Sequence, residues 1–298
     1  NGYRHVEIYY AVSGMGAVVH TLNPRLFPEQ LVYIINHAKD TMVFFDSTFA
    51  PLVKAIAPAC PTVKRWVQMC DEAAMPAEPA VAGCLNYEAL IKDASEQYVW
   101  PQLDENAASG LCYTSGTTGN PKGALYSHRS TVLHAMAACT PDALGLSSRD
   151  TILPVVPMFH VNAWGIPYIA LMTGAKMVMP GGALDGASIY ELLESEKVNF
   201  SAGVPTVWLG LLNHVQQNGL KFNYFNRTVI GGSAAPEAMI KTLNSLGVEV
   251  IHAWGMTELS PLGTVCRLKA QHLDLPLEEK QKIMQKQGTA IFGVDMKI

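Results

Sequence analysis

The sequence predicts an α/β protein: layered parallel βαβ sheets with helices on both faces. Three observations predict it. Helix-period and strand-like runs alternate along most of the 298 residues. The helical runs are roughly ten residues long, the length of a crossover between parallel strands. Hydrophobic residues make up 49% of the chain and charged residues 15%, which supplies an extensive core and too little charge for a disordered chain.

The elements follow in order. An amphipathic helix opens in "RHVE" (4–7). "PEQLVYIINHAKD" (28–40) reads as a helix with Pro28 near its first turn. "TMVFFD" (41–46) is a strand, a short helix follows, and "VKRWVQM" (63–69) is the next strand. Residues 71–106, rich in Ala, Pro and Glu, read as a loose surface connection between two α/β lobes. Beyond a strand ending at Tyr113 and a polar loop come a helix at 130–139, a strand at 151–159, a helix at 161–172 and a strand at 175–180. Helices at 185–198, 205–217 and 236–247 then alternate with strands at 200–204, 227–232 and 248–255. The first residues enter directly into a helical pattern and "GTAIFGVDMKI" (288–298) stops within a strand-like run, so the chain is expected to be a fragment.

Composition removes several function classes. A net charge of −4 offers no basic stripe for nucleic acid. The apolar run 164–180 is interrupted by Pro167, Gly174 and Lys176, short of a transmembrane span, and no signal peptide opens the chain. Six cysteines, at 60, 70, 84, 112, 139 and 266, form no CxxC pair, which points to reduced thiols in a cytoplasmic protein. Met172, Met177 and Met179 read as core filler, and His128 and Arg129 as structural residues opening a helix. Oligomeric state has no motif here; a homodimer is allowed.

Parallel sheets bind ligands at the carboxyl ends of their strands. "TSGTTG", "GGSAAP" and "GMTE" all fall just after strands. In the first, Gly116, Gly119 and Gly123 permit positive φ and expose backbone N–H groups, Thr114, Ser115, Thr117 and Thr118 offer hydroxyls, and Lys122 adds a cation. A nucleoside triphosphate suits that loop. It is not a Walker loop, because Asn120 and Pro121 precede the lysine and no Ser or Thr follows it.

"YTSGTTGNPKG" resembles the phosphate-loop signature of the AMP-forming acyl-CoA synthetases, among the adenylate-forming enzymes. "PMFHVNAW" (157–164), "GGSAAP" (231–236) and "HAWGMTELSP" (252–261) agree in order and spacing, so the resemblance spans nearly the whole chain. It is strongest toward medium- and long-chain fatty-acyl and related carboxylate-CoA ligases. The resemblance implies the large N-terminal domain of the adenylate-forming fold. A carboxylic acid, ATP and coenzyme A are the implied substrates, with Mg2+ on the phosphates.

By resemblance, Thr114 and Glu258 help hold Mg2+, and Thr257 hydrogen-bonds the α-phosphate. Trp254 stacks on adenine, although a core aromatic would be buried equally well. Gly232, His252 and Ala253 line the adenine pocket through backbone groups. His160 borders the acyl carboxylate, and Trp164 is a gate over the acyl channel that moves when ATP binds. Small residues at Gly165, Ala170 and Gly203 would admit a tunnel. A ribose-binding Asp, a hinge and a C-terminal lid with its catalytic lysine are expected beyond Ile298. The alternatives are a nucleotide-binding module or pseudoenzyme without turnover, or adenylation of another carboxylate class. Peptide-synthetase domains keep an Asp for the amino group, where this chain offers only Asn162.

Overall fold

In the computed structural model, which describes residues 1–114 and 119–297, strands and helices alternate as expected. The strands are β1 (Val19–Thr21), β2 (Met42–Asp46), β3 (Arg65–Met69), β4 (Leu85–Asn86), β5 (Ala108–Tyr113), β6 (Gly123–Ser127), β7 (Thr151–Pro154), β8 (Lys176–Met177), β9 (Phe200–Gly203), β10 (Arg227–Ile230), β11 (Glu249–Gly255), β12 (Leu262–Val265) and β13 (Thr289–Ala290). They form one seven-stranded sheet, ordered β13-β12-β11-β10-β9-β7-β8, and two of three strands, β1-β5-β6 and β2-β3-β4.

Pairing is parallel from β11 through β8 and across β2-β3-β4. Three pairs are antiparallel: β5–β6, β11–β12 and β12–β13. Two of them are hairpins, and both carry candidate site residues in their turns.

The seven-stranded sheet shows the alternation that buries both its faces. Ile152, Val229 and Ile251 belong to one core cluster, with Ile166, Ile169 and Phe200. Their strand neighbours Leu153, Ile230 and Val250 belong to the other, with Ile189, Trp208, Leu211 and Leu243. The helix Pro205–Gln217 supplies part of that second layer. Pro205 occupies its first turn, and Trp208, Leu211, Leu212 and Val215 form the i, i+3, i+4, i+7 stripe that is buried. The helix Gly186–Ser195 is started by Asp185, whose carboxylate accepts from Ala187 N at 3.1 Å and Ser188 N at 3.0 Å. Such a cap contributes about 1 kcal/mol.

Within the segment 71–106, Leu85–Asn86 add the third strand of the β2-β3-β4 sheet, a short helix follows at Tyr87–Ile91, and residues 91–106 are exposed throughout. The expected helix 161–172 is interrupted. A regular helix runs only over Ile166–Thr173, with Pro167 in its first turn. Before it, Val161, Asn162, Ala163 and Trp164 form a left-handed turn with φ of 40°, 54°, 49° and 57°. That conformation costs roughly 1–2 kcal/mol per non-glycine residue. Val161, Asn162 and Ala163 are all buried, so tertiary packing maintains it. The tail is a strand only over Thr289–Ala290, and a helix at Leu277–Met284 was not expected.

Candidate active site

A cavity of about 200 Å³ lies at the carboxyl ends of β9, β10 and β11, where ligands of parallel sheets gather. Six predicted residues line it together: His160, Trp164, Gly232, Ala253, Trp254 and Thr257. They come from four separate stretches. His160 and Trp164 bracket the left-handed turn, Gly232 follows β10, Ala253 and Trp254 belong to β11, and Thr257 stands in the β11–β12 hairpin.

Two close approaches shape this cavity. A Cβ at Gly231 would stand 3.3 Å from the Trp164 indole and 3.1 Å from the Ala253 carbonyl; one at Gly232 would stand 3.7 Å from the same indole. Trp164 therefore lies on the backbone of the glycine pair, beside the position the resemblance assigns to adenine. Trp254 packs over the Gly263 backbone, where an added Cβ would come within 2.7 Å of its ring. Trp254 is half-buried at the cavity wall.

The segment expected to hold phosphate connects the antiparallel pair β5 and β6. Thr114 N–H donates to the Lys122 carbonyl at 2.9 Å, and Lys122 N–H lies 3.4 Å from the Thr114 hydroxyl. Lys122 and Gly119 are exposed. Ser115, Gly116, Thr117 and Thr118 lie outside the described residues. Thr114, Gly119, Lys122 and Glu258 do not line the cavity. Glu258 is exposed in the hairpin beside Thr257, and no hydrogen bond among the described residues joins it to Thr114. The link between the two hairpins is Tyr126 of β6, whose hydroxyl donates to the Thr257 carbonyl. Burial, then the neighbouring Cys112, pushes the Tyr126 pKa up, so the phenol keeps its proton for that bond.

His252, expected to border adenine through its backbone, turns its side chain elsewhere. It does not line the cavity. Its ring is buried, with Nδ1 at 2.9 Å from the Gln285 carbonyl and Nε2 accepting from Ala235 N–H at 3.3 Å. It ties the loop after β10 to the unexpected helix 277–284, and desolvation lowers its pKa. His160 keeps solvent access at the cavity, while surrounding protein lowers its pKa by desolvation. A neutral imidazole there can donate one hydrogen bond and accept another.

Two supporting residues carried no local signal. Tyr126 is one. His134, on the helix His128–Ala138, is the other: its Nε2 accepts from Leu262 N–H at 3.2 Å, and its ring packs against Gly165. Burial pushes its pKa down to about 4. Because the folded pKa lies below the ordinary value of about 6.5, the unfolded chain binds the proton more tightly. The contribution of neutral His134 is present above pH 6.5 and is lost as pH falls toward 4. We expect unfolding stability to drop by about 2 kcal/mol between pH 7 and pH 5 from this group alone. Denaturant titrations of the protein and of His134→Gln check it; equal pH slopes would reject the assignment.

The whole chain, residues 1–298, matches the family model described as AMP-binding enzyme. The chain belongs to the AMP-binding enzyme family. It is 56% identical over 299 residues to a medium-chain-fatty-acid–CoA ligase of Ectopseudomonas oleovorans, covering 100% of this chain and 55% of that protein. It is 46% identical over 298 residues to a long-chain-fatty-acid–CoA ligase of Thermus thermophilus, covering 100% of this chain and 53% of that one. Among solved structures, an anthranilate CoA ligase in complex with anthranoyl-AMP superposes with a TM-score of 0.81 at 21% identity, over 96% of this chain and 52% of that chain. A long-chain-fatty-acid–CoA ligase from Archaeoglobus fulgidus gives 0.80 at 23%, over 98% and 56%. These likenesses establish the adenylate-forming α/β fold for this AMP-binding enzyme. The chain spans about half the length of the curated relatives it matches.

Proposed function

We propose that this AMP-binding enzyme carries the nucleotide and carboxylate sites of an ATP-dependent acyl-CoA ligase acting on a medium- or long-chain fatty acid or related carboxylate. The observation that supports it is the convergence of His160, Trp164, Trp254 and Thr257 on one cavity at the carboxyl ends of the parallel strands. Two further supports are the 56% identity to a medium-chain ligase and the intact phosphate-loop string. The substrate carboxylate oxygen would bond to the α-phosphorus as pyrophosphate departs. The thiol of coenzyme A would then bond to the acyl carbon as AMP leaves.

The chain's own residues orient these partners. Trp254 offers a stacking face, Thr257 offers a hydroxyl toward the α-phosphate, Lys122 contributes positive charge, and His160 faces the carboxylate. An anion attacks a polyanion in the first step, so charge compensation dominates the barrier. Among the described residues no group of three His, Cys, Asp or Glu could cage a metal. One carboxylate and one hydroxyl, Glu258 and Thr114, nonetheless suit Mg2+, which keeps most of its shell as water and phosphate oxygen. Bound there, Mg2+ would neutralise phosphate charge.

We place the protein in the cytoplasm, on the support of its six free cysteines; no helix among the described residues is long and apolar enough to cross a membrane. We further propose that residues 1–298 form the incomplete large domain, with the lid and the ribose-binding Asp outside it.

The test uses the complete reading frame that contains this chain. Lys122→Ala should weaken ATP binding roughly tenfold or more, the worth of a charged hydrogen bond. Its circular dichroism and melting temperature should stay unchanged, because Lys122 stands in an exposed turn. Identical ATP affinity by titration calorimetry would remove the loop from the site.

A further inference from the structure

His160 and Trp164 share the cavity only while residues 161–164 stay left-handed, and three of those four residue types disfavour that conformation. The restraint comes from elsewhere in the chain. Tyr9, on the helix Tyr3–Gly14, is fully buried, and its phenol donates to the Met158 carbonyl. The same oxygen lies 3.3 Å from Oδ1 of Asn162, in the middle of the turn. Cys112 of β5 directs its thiol at that Oδ1 from 3.5 Å, and the Thr21 hydroxyl of β1 meets the Cys112 sulfur at 3.5 Å. Tyr9 thus holds the chain by a hydrogen bond two residues before His160 and packs its oxygen against the chain two residues after it. Its ring is itself fixed, edge-on to His5 at 4.9 Å and stacked on Tyr168 at 5.8 Å. Burial raises the phenol pKa well above its ordinary value, so its one proton stays available for donation.

We propose that Tyr9 is a positioning residue for the carboxylate site: through Met158 and Asn162 it holds the left-handed turn that presents His160 and Trp164 to the cavity. Tyr9 does not line the cavity, so it acts only through those two residues. The kinetic consequence rests on the acyl-ligase reading above; the spectroscopic one rests on geometry alone. Loss of the grip should change carboxylate binding more than nucleotide binding, because Trp254, Thr257 and Lys122 stand on other elements and only Trp164, over Gly231 and Gly232, borders the adenine side.

The experiment is Tyr9→Phe in the complete reading frame, which keeps the ring and deletes the hydroxyl. Carboxylate-dependent pyrophosphate exchange should show KM for the fatty acid raised roughly five- to tenfold, the effect of one buried hydrogen bond, with KM for ATP moving less than about twofold. Trp164 emission, taken as the difference between each protein and its Trp164→Phe counterpart, should move to longer wavelength and be quenched more by acrylamide. Asn162→Ser removes the Oδ1 contact without touching the Tyr9 ring and should give the same preferential fatty-acid shift. Ala163→Gly in the Tyr9→Phe background eases the positive φ at 163 and should recover much of the fatty-acid KM, a rescue that mere packing of the hydroxyl would not permit. Unchanged emission and unchanged KM in Tyr9→Phe would overturn the proposal. So would an equal rise in both KM values, or a failure of glycine to rescue. If the parent protein shows no carboxylate-dependent exchange, the ligase reading fails, and the emission comparison still decides the role of Tyr9.

Discussion

Replacing Glu258 with glutamine in the complete reading frame is expected to lower kcat/KM for adenylation by about a hundredfold and to raise the Mg2+ concentration needed for half-maximal rate. The substitution keeps the shape of the side chain and removes its charge. Two effects of that change differ enough in size to be told apart. If Glu258 is an ordinary surface acid, its loss should cost under about 0.5 kcal/mol, no more than two- to threefold in rate. If it holds a hard cation against the phosphates, the loss falls on a step dominated by charge compensation, where single groups contribute about 3 kcal/mol. Its exposed position in the β11–β12 hairpin means that the melting temperature should not move. Steady-state rates across a Mg2+ titration check both parts. An unchanged metal requirement would put the ion on other ligands.

How far the sequence could be read depended on where the deciding contacts lie. The helix Pro205–Gln217 was legible in full, because a proline marks its start and its buried stripe repeats within its own length. The turn at 161–164 was not. Its residues carry an apolar pattern continuous with the following helix, while the side chains that meet its Asn162, those of Tyr9 and Cys112, lie 153 and 50 positions away. Strand β6 hid for a different reason: only Tyr126 of its five residues is buried, so no alternation shows. Strand β12 hid for the opposite one, since all four residues are buried and two are Gly and Thr.

At the site, the motifs located residues whose backbone defines the cavity and carried no information on where each side chain turns. His252 sits in the right strand, but its ring serves Gln285, beyond a helix that the sequence did not announce. The helix His128–Ala138 was anticipated, yet nothing in it marks His134 as the acceptor for Leu262.

The dependence of the site on backbone approach leads to the largest stability effect we expect, Gly255→Ala. Gly255 closes the β11–β12 hairpin opposite Leu262. A Cβ there would stand 2.2 Å from the Pro261 carbonyl oxygen, which already accepts from Met256 N–H at 2.9 Å. The obstacle is backbone, so no rotamer change relieves it and the hairpin itself must open. Overpacking of this kind costs about 1–3 kcal/mol, and losing the Met256 bond adds about 1 kcal/mol. Opening the hairpin also moves Thr257 and Glu258, which share its turn, so ATP affinity should fall along with stability. Gly210→Ala is the matching control: it lies within the helix Pro205–Gln217 with open space where its Cβ would go, and should stabilise by up to about 1 kcal/mol. Equilibrium unfolding and ATP titration of the two variants separate backbone obstruction from the general effect of adding a methyl group. Were Gly255→Ala to unfold at the parent's midpoint, the close approach of Pro261, and with it the placement of Thr257 at the cavity, would have to be given up.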